Sequence, residues 1–302
     1  MSQVKKLSSK MVKRNFTTIG LMLIIYVLFV LIIPHFLHIY LEDNTSLLKD
    51  ETIFYGLNYL IIVFGTLIPF FMMRKFAGIK TKHLIRKVNA SFIDLFVQAI
   101  VFFNICFALT YISNIIINRF GIDGKLISGI GISENIDLNN IIYIFMFIGL
   151  SPLLEEYAFR GVLLNALARY NKKFALIASS LIFALAHSNF GEILPAFAMG
   201  IALGKMSLRY KSIQPTIVVH ILFNAFIYSL YMLPSNIASY MGYGLAAICI
   251  LAIYLYLSGR YQRIGIQKSV NKTIPRIFFT RFTVIFSMIL MFAYTCLLTF
   301  IK

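Results

Sequence analysis

The chain has few charged residues, and acidic ones are especially scarce. Only 13% of its 302 residues are charged, with 11 acidic and 28 basic side chains, whereas 60% are hydrophobic. A soluble domain carries roughly a quarter charged residues. Together with a mean hydropathy of +0.84, this composition excludes an ordinary soluble protein. It indicates a multi-pass protein of a cell membrane, with the lipid bilayer as its solvent.

Cysteine is also rare, and the familiar metal-binding spacings are missing. Cys106, Cys249 and Cys296 lie far apart in apolar segments, and no CxxC pair occurs. This pattern argues against a disulfide framework and favours buried membrane thiols. The sequence contains no HExxH zinc-protease motif. We find no internal repeat, low-complexity tract or soluble domain.

The net charge of +17 does not indicate a nucleic-acid partner. The basic residues form short clusters between apolar runs, which is where membrane topology requires them. These clusters alternate with connections that are acidic or nearly uncharged. The basic clusters fall at residues 5–14, 74–87, 169–173, 205–211 and 260–281. By the positive-inside rule we expect a cytoplasmic N-terminus, no nucleic acid and a basic cytoplasmic tail at residues 1–15.

The apolar runs predict an all-α fold, a polytopic transmembrane helix bundle of about eight or nine spans. A hydrocarbon core about 30 Å thick needs roughly 20 apolar residues per helix, and the runs are too long for barrel strands. The fifth and sixth runs are short, so one of them is a candidate re-entrant segment. Residues 16–302 are therefore predicted to form a single membrane domain. The predicted spans are residues 16–40, 52–73, 91–118, 139–168, 174–190, 192–208, 213–232, 236–258 and 282–301.

Three polar clusters interrupt these spans. Ionisable groups in hydrocarbon are costly, so they rarely persist without a function. At about 1.5 Å of rise per residue, the clusters lie roughly 13 to 21 Å from the predicted cytoplasmic edge. Three helices therefore deliver polar side chains to one layer of the membrane. The clusters are Glu155 and Glu156 with Arg160, then His187, and finally His220 with Asn224.

The spacing within the first cluster places Glu155 and Glu156 on different faces of the helix. Glu156 and Arg160 are four residues apart, so they can pair on one helix face. Glu155 points about 100° away from Glu156 and can face the bundle interior. Pro152 removes a backbone hydrogen bond just before Glu155 and is expected to kink the helix. We predict that Glu155, rather than Glu156, meets water.

The other clusters complete a set of groups suited to amide hydrolysis. A carboxylate beside a histidine can take a proton from water, and a second imidazole with a carboxamide can stabilise an oxyanion. His220 and Asn224 lie four residues apart on one stripe, and Phe183 precedes His187 by one turn and can wall the pocket. Alternatively, two histidines and a glutamate could hold a zinc ion that activates the water.

These residues carry a resemblance to a known family. The motifs EExxxR, FxxxH and HxxxN read here as residues 155–160, 183–187 and 220–224, in order on three motif-bearing helices. In them the chain resembles the CPBP family, the CAAX-processing and bacteriocin-processing enzymes also called Abi or type II CAAX prenyl protease-like. The motif core covers residues 139–232.

The resemblance implies an intramembrane endopeptidase with a cavity open to the cytoplasmic side. Glu155 would be the base that activates water, assisted by His187. His220 and Asn224 would form the oxyanion site, while Glu156 and Arg160 would hold the helix in register. Members of this family are described both as metalloproteases and as metal-independent glutamate proteases. We expect no cofactor here. A metal-dependent site would use Glu155, His187 and His220 for a divalent ion such as zinc.

Three functions are therefore compared. The first is a peptidase that cleaves a membrane-associated or lipidated peptide or protein. The second is a non-catalytic membrane scaffold or regulator that binds another membrane or cell-envelope protein. The third is a transporter or channel, which predicts repeated half-bundles with broken helices, and no repeat occurs. Intact motifs favour the peptidase.

Overall fold

The computed structural model is all-helical over the residues it describes, which confirms the predicted fold class. These residues are 9–44, 51–81, 84–88, 91–121, 138–232 and 273–300, with single positions between 237 and 254. Residues 1–8 of the predicted tail lie outside them. So does the predicted span at 236–258, apart from those single positions.

Ten α-helices of the described chain precede residue 233, and we label them in chain order. They are α1 Ser9–Val27, α2 Ile33–Asn44, α3 Glu51–Phe76, α4 Phe92–Arg119, α5 Leu138–Ile144, α6 Ser151–Glu155, α7 Asn165–Ala168, α8 Lys172–Leu185, α9 Phe190–Tyr210 and α10 Gln214–Met232. Three π-helical segments join neighbouring helices of this set, and they are Leu28–Ile32, Phe145–Leu150 and Glu156–Leu164. Two C-terminal helices, Thr273–Phe279 and Phe282–Phe300, follow.

The chain is a multi-pass membrane protein. Within the described residues, five helical stretches are long and apolar enough to cross a membrane, and Gln214–Leu230 is a shorter apolar helix. The five stretches are Ser9–Leu37, Gly56–Phe76, Ile93–Arg119, Ile141–Ala168 and Phe282–Phe300. Helix α8 has only 14 residues, about 21 Å at the usual rise, which is shorter than the hydrocarbon core. The total of eight or nine spans and the cytoplasmic N-terminus stay predictions.

The first helix starts earlier than its sequence pattern predicts. Helix α1 begins at Ser9, whereas the predicted span begins at residue 16. Most of residues 9–15 are polar or charged, so hydropathy alone places them outside the membrane. They contain no proline or glycine, so nothing in their backbone prevents the helix from extending back to Ser9.

The helix that carries the first motif is locally widened. π-helical turns lie on both sides of the short helix α6, and such turns occur frequently at functional sites. Pro152 lies in the first turn of α6, where its missing amide hydrogen breaks the regular ladder. Further along, Asn165 Nδ2 donates to the carbonyl oxygens of Arg160 and Gly161, at 2.9 and 3.0 Å. This side chain therefore satisfies backbone acceptors in the π segment Glu156–Leu164.

Small residues allow two pairs of helices to approach closely. A Cβ atom added to Gly200 would lie 2.6 Å from Ser180 Cβ, so glycine permits the contact between α9 and α8. The same addition at Gly20 would lie 2.6 Å from the backbone carbon of Thr283, where α1 meets the last helix. Helix association in lipid depends on such packing, because burial of apolar groups gives little driving force there.

An aromatic cluster joins the motif-bearing region to the N-terminal helices. The ring of Phe159 lies 5.9 Å from that of Tyr26 on α1 and 5.6 Å from that of Phe70 on α3. On its other side the ring of Phe183 lies 5.1 Å away, nearly perpendicular. Phe159, Phe70 and Phe183 are fully buried. The site described below therefore rests on a packed aromatic core.

Candidate active site

One cavity of about 180 Å³ collects the side chains that the sequence predicts to be catalytic. Its walls come from α4, the π segment Phe145–Leu150, α6, α9, α10 and the turn after α8. The polar residues that line it are Thr110, Ser151, Glu155, His187, Glu192, His220 and Asn224. The remaining walls are apolar, with Phe147, Pro195, Ala196, Met199, Phe223 and Ile227. The side chains of the predicted common layer therefore line one cavity between helices.

Glu155 lines this cavity, and its two carboxylate oxygens have different surroundings. Ser151 Oγ donates a hydrogen bond of 2.6 Å to Glu155 Oε1. Glu155 Oε2 is buried and has no hydrogen-bond partner in the described part of the chain. The side chain as a whole is 25% exposed. One oxygen is thus held by the protein, and the other can accept a hydrogen bond from water or substrate.

His220 lies between the two glutamates. Its Nδ1 is 2.9 Å from Glu156 Oε1, and its Nε2 is 3.8 Å from Glu155 Oε2. A carboxylate only accepts hydrogen bonds, so Nδ1 carries a hydrogen and donates it to Glu156. The contact fixes the tautomer and the orientation of the ring. Nε2 is therefore the nitrogen that faces Glu155 and the cavity.

Glu156 and Arg160 form an ion pair behind the cavity, as their spacing predicts. Arg160 Nη1 lies 2.9 Å from Glu156 Oε1, with side-chain exposures of 3% and 0%. The guanidinium carbon lies 4.0 Å from the centre of the Phe183 ring. The pair compensates two charges that would be costly alone in a dry interior. It also supports His220 from the side opposite the cavity.

His187 lies just beyond a helix, which corrects the prediction that it sits inside a span at 174–190. Helix α8 ends at Leu185, and Ser188 adopts a left-handed conformation with φ of 54°. His187 Nδ1 donates to the carbonyl oxygen of Phe183 at 2.8 Å, which satisfies an acceptor at the helix end. The two rings also meet edge-on at 4.6 Å. Nε2 is therefore the nitrogen available to the cavity.

Asn224 connects α10 to the widened helix. Its Nδ2 donates to the carbonyl oxygen of Phe147 at 2.9 Å, in the π segment Phe145–Leu150. A carboxamide nitrogen carries two hydrogens. One holds the backbone of the neighbouring helix, and the second remains for a group in the cavity.

Two further polar residues of the cavity, Ser151 and Glu192, are not among the predicted site residues. Glu192 follows Asn189, and the pair caps α9, with Asn189 Nδ2 donating to Glu192 Oε1 at 3.0 Å. This pattern predicts a helix start, but nothing in it indicates that the helix end opens into the cavity. Glu192 also interacts electrostatically with His187 and Glu155. The simplest interpretation of Ser151 is a packing residue, which is a common role for serine in membrane helices. Its four-residue spacing to Glu155 could have indicated the hydrogen bond between them.

The side chains do not form an evident metal site. Glu155, His187 and His220 line the same cavity, yet the described residues contain no group of three His, Cys, Asp or Glu side chains arranged to hold a metal ion. Independence from a metal stays a prediction, and we derive no reaction step through one.

Comparison with known proteins finds similarity over the region that supplies most of the residues lining this cavity. Residues 137–226 match the model of a family described as type II CAAX prenyl endopeptidase Rce1-like. A relative named membrane-embedded CAAX protease MroQ, from Staphylococcus aureus (strain USA300), is 38% identical over 93 residues. That match covers 28% of this chain and 38% of the relative.

A second relative, from Bacillus subtilis (strain 168), is named as a membrane peptidase, YdiL. It is 35% identical over 77 residues, covering 25% of this chain and 32% of the relative. The chain thus spans about a third of the length of the curated relatives it matches. No solved structure matches the chain. The suspected resemblance is confirmed over residues 137–226, which match the Rce1-like type II CAAX prenyl endopeptidase model.

Proposed function

We propose that the chain is an intramembrane endopeptidase that cleaves a membrane-associated peptide, with Glu155 as the base that activates water. The observation that carries the proposal is the difference in hydrogen bonding between the two oxygens of the Glu155 carboxylate. Oε1 accepts from Ser151, whereas Oε2 has no hydrogen-bond partner among the described residues and lies 3.8 Å from His220 Nε2. The family match supports peptidase activity.

In this mechanism Glu155 Oε2 takes a proton from a water molecule in the cavity. The resulting hydroxide attacks the carbonyl carbon of the scissile amide and forms a tetrahedral intermediate with a negatively charged oxygen. When the C–N bond breaks, Glu155 returns the proton to the leaving amine. A carboxyl group at this position therefore acts first as base and then as acid. His187, with Nε2 towards the cavity, orients the attacking water.

The second half of the proposal concerns the oxyanion. The second N–H of Asn224 is one donor for it, and His220 Nε2 is the other when the ring is doubly protonated, because Nδ1 already donates its hydrogen to Glu156. Glu156 and Arg160 act behind the cavity, because they hold His220 through its Nδ1. Donors that are already oriented stabilise a developing charge without reorganisation, which is typically worth about 10²–10³ in rate per donor.

The cavity favours a peptide segment with small or apolar side chains. Six of its lining residues are apolar, and the volume of about 180 Å³ leaves room for a short stretch of chain. The name of one relative contains the term CAAX protease, which supports a lipidated peptide tail as one substrate class. A membrane-protein partner that delivers the peptide is compatible with the same proposal.

Comparison of wild type with Glu155→Gln tests the proposal. Glutamine preserves the size and the contact with Ser151, but removes the basicity. Mass spectrometry of small membrane peptides from cells that carry each form should show a precursor that accumulates only in the variant. Asp94→Asn is the matched control, because Asp94 lies on α4 outside the cavity lining.

The alternative function is a membrane scaffold or regulator, and the same experiment separates the two. A scaffold needs a folded chain, but it does not need a base at residue 155. Identical peptide profiles for wild type and Glu155→Gln, at equal expression and with full biological activity, would refute the peptidase. Co-purification would then identify the bound protein.

A further inference from the structure

A second cavity lies at the end of the bundle where α1 begins and where α3 and α7 end. It has a volume of about 430 Å³ and shares no lining residue with the cavity at Glu155. We call it the basic groove. Its main lining residues are Arg14, Asn15, Met73, Phe76, Arg169 and Tyr170.

One side of the basic groove is rich in hydrogen-bond donors. Arg14 is exposed and has no acidic partner among the described residues. Arg169 donates one N–H to the carbonyl oxygen of Ala77, and its other N–H groups remain. Asn15 Nδ2 donates to the Tyr170 hydroxyl oxygen at 2.8 Å, so that hydroxyl can donate its own hydrogen. Four neighbouring side chains thus offer donors from two elements of the fold.

The charge of the basic groove is of one sign. Its described lining includes two guanidinium groups and no acidic side chain. A guanidinium presents its N–H groups as a planar fork that fits two oxygens of a phosphate or carboxylate, and it stays charged at all relevant pH values. The electrostatics and the donors therefore select an anion with several oxygens.

The other side of the groove is apolar. Ile19 and Met73 are buried, and Phe76 is 68% exposed at the end of α3. Hydrophobic membrane stretches begin or end here, since Ser9–Leu37, Gly56–Phe76 and Ile141–Ala168 all have one end at this level. Phospholipid headgroups lie at such a level, with their acyl chains directed into the hydrocarbon core. A ligand with an anionic head and an apolar tail matches both sides of the groove.

We propose that the basic groove binds the phosphate group of an anionic phospholipid, with Arg14 and Arg169 on the phosphate oxygens and Phe76 beside the acyl chains. A small phosphate ester offers the same headgroup chemistry without the tail. The proposal does not depend on the peptidase reaction, because the two cavities are separate. The lipid bound in the basic groove would anchor this end of the bundle at the membrane surface.

Ordinary topology charges are the competing explanation for these arginines. Exposed lysines flank both of them in sequence, at Lys10 and Lys13 on α1 and at Lys172 and Lys173 on α8. Such residues attract an anionic membrane surface without any defined site. The two explanations differ in one respect. A site depends on which residue lines the groove, whereas surface attraction depends only on the number of charges.

The test uses the full chain, purified in a neutral detergent, with thermal unfolding followed as lipid is added. The probes are phosphatidylglycerol, phosphatidylcholine and inorganic phosphate. For wild type we expect stabilisation by phosphatidylglycerol that saturates, with little effect of phosphatidylcholine. In Arg14→Gln the concentration for half-maximal stabilisation should rise at least tenfold. Arg14→Lys should fall between the two, because it keeps the charge and loses the fork.

Lys13→Gln is the matched control. It removes the same charge from the adjacent residue, which is exposed and does not line the groove. We expect less than a twofold change in this variant. Equal weakening in Lys13→Gln and Arg14→Gln would overturn the proposal in favour of general surface charge. Absence of stabilisation by every phosphate-bearing probe would also overturn it. Saturable stabilisation by inorganic phosphate that needs Arg14 would support the site with a small anion as its source.

Discussion

Replacing Arg160 by alanine should destabilise the protein strongly. The side chain is buried against Glu156, which is itself fully buried, and its guanidinium covers the Phe183 ring. Alanine would leave the Glu156 carboxylate in a dry interior with His220 as its main polar contact. Breaking a buried ion pair by removing one partner typically costs about 3–5 kcal/mol.

The assay is thermal unfolding of the purified variant in detergent. A loss of about 4 kcal/mol corresponds to a decrease in Tm on the order of 10 °C by the scaling of soluble domains. Arg119→Ala is the control, because Arg119 is exposed at the end of α4. Exposed substitutions of this kind usually change stability by less than about 0.5 kcal/mol.

A double substitution separates charge from packing. Arg160→Met keeps much of the side-chain volume, and Glu156→Gln removes the stranded charge. If burial of an unpaired carboxylate causes the loss, the combined variant should be more stable than Arg160→Met alone. Equal stability of Arg160→Ala and Arg119→Ala would refute the assignment of Glu156 and Arg160 as a supporting pair.

Three further predictions concern the site and the packing around it. Ser151→Ala should lower kcat about tenfold or more with KM within about twofold, because Glu155 Oε1 loses its hydrogen-bond donor. Ser151→Thr should restore most of the rate, and an unchanged kcat in Ser151→Ala would contradict this positioning role. Dialysis against a chelator should leave peptide cleavage unchanged, whereas loss of cleavage that zinc restores would show that the predicted metal independence is wrong. Gly200→Ala should lower the stability of the protein by about 1–3 kcal/mol, because the new Cβ would clash with Ser180. Gly56→Ala should not, because a Cβ there has no atom within 4 Å, and similar stabilities of the two variants would contradict the close helix contact.

The predicted fold class and the family resemblance needed no tertiary information. Long apolar runs require helices in lipid whatever their packing, and the ordered motifs at Glu155, His187 and His220 sufficed for the resemblance. The pairing of Glu156 with Arg160 also follows from local helix geometry, since residues four apart share a face. These are properties of short stretches of chain, and a sequence contains them directly.

Other features depend on where helices end and how they widen. His187 lies in a turn because α8 stops at Leu185, and no proline or glycine at that boundary marks the end of the helix. The π-helical turns around α6 change the direction of side chains that a regular helix would place elsewhere. Glu192 is fully explained as part of a helix cap, so the neighbouring residues give no sign that it has a second role.

The sequence by itself determined that this chain is a helical membrane protein with an Rce1-like motif core, because composition and motif spacing follow from neighbouring residues. Only the tertiary structure decided which groups meet. It joins His220 to Glu155, Asn224 to the carbonyl of Phe147, and α1 to α7 in the basic groove. Such contacts arise between residues far apart in the chain, and helix packing, which no local pattern encodes, sets their distances.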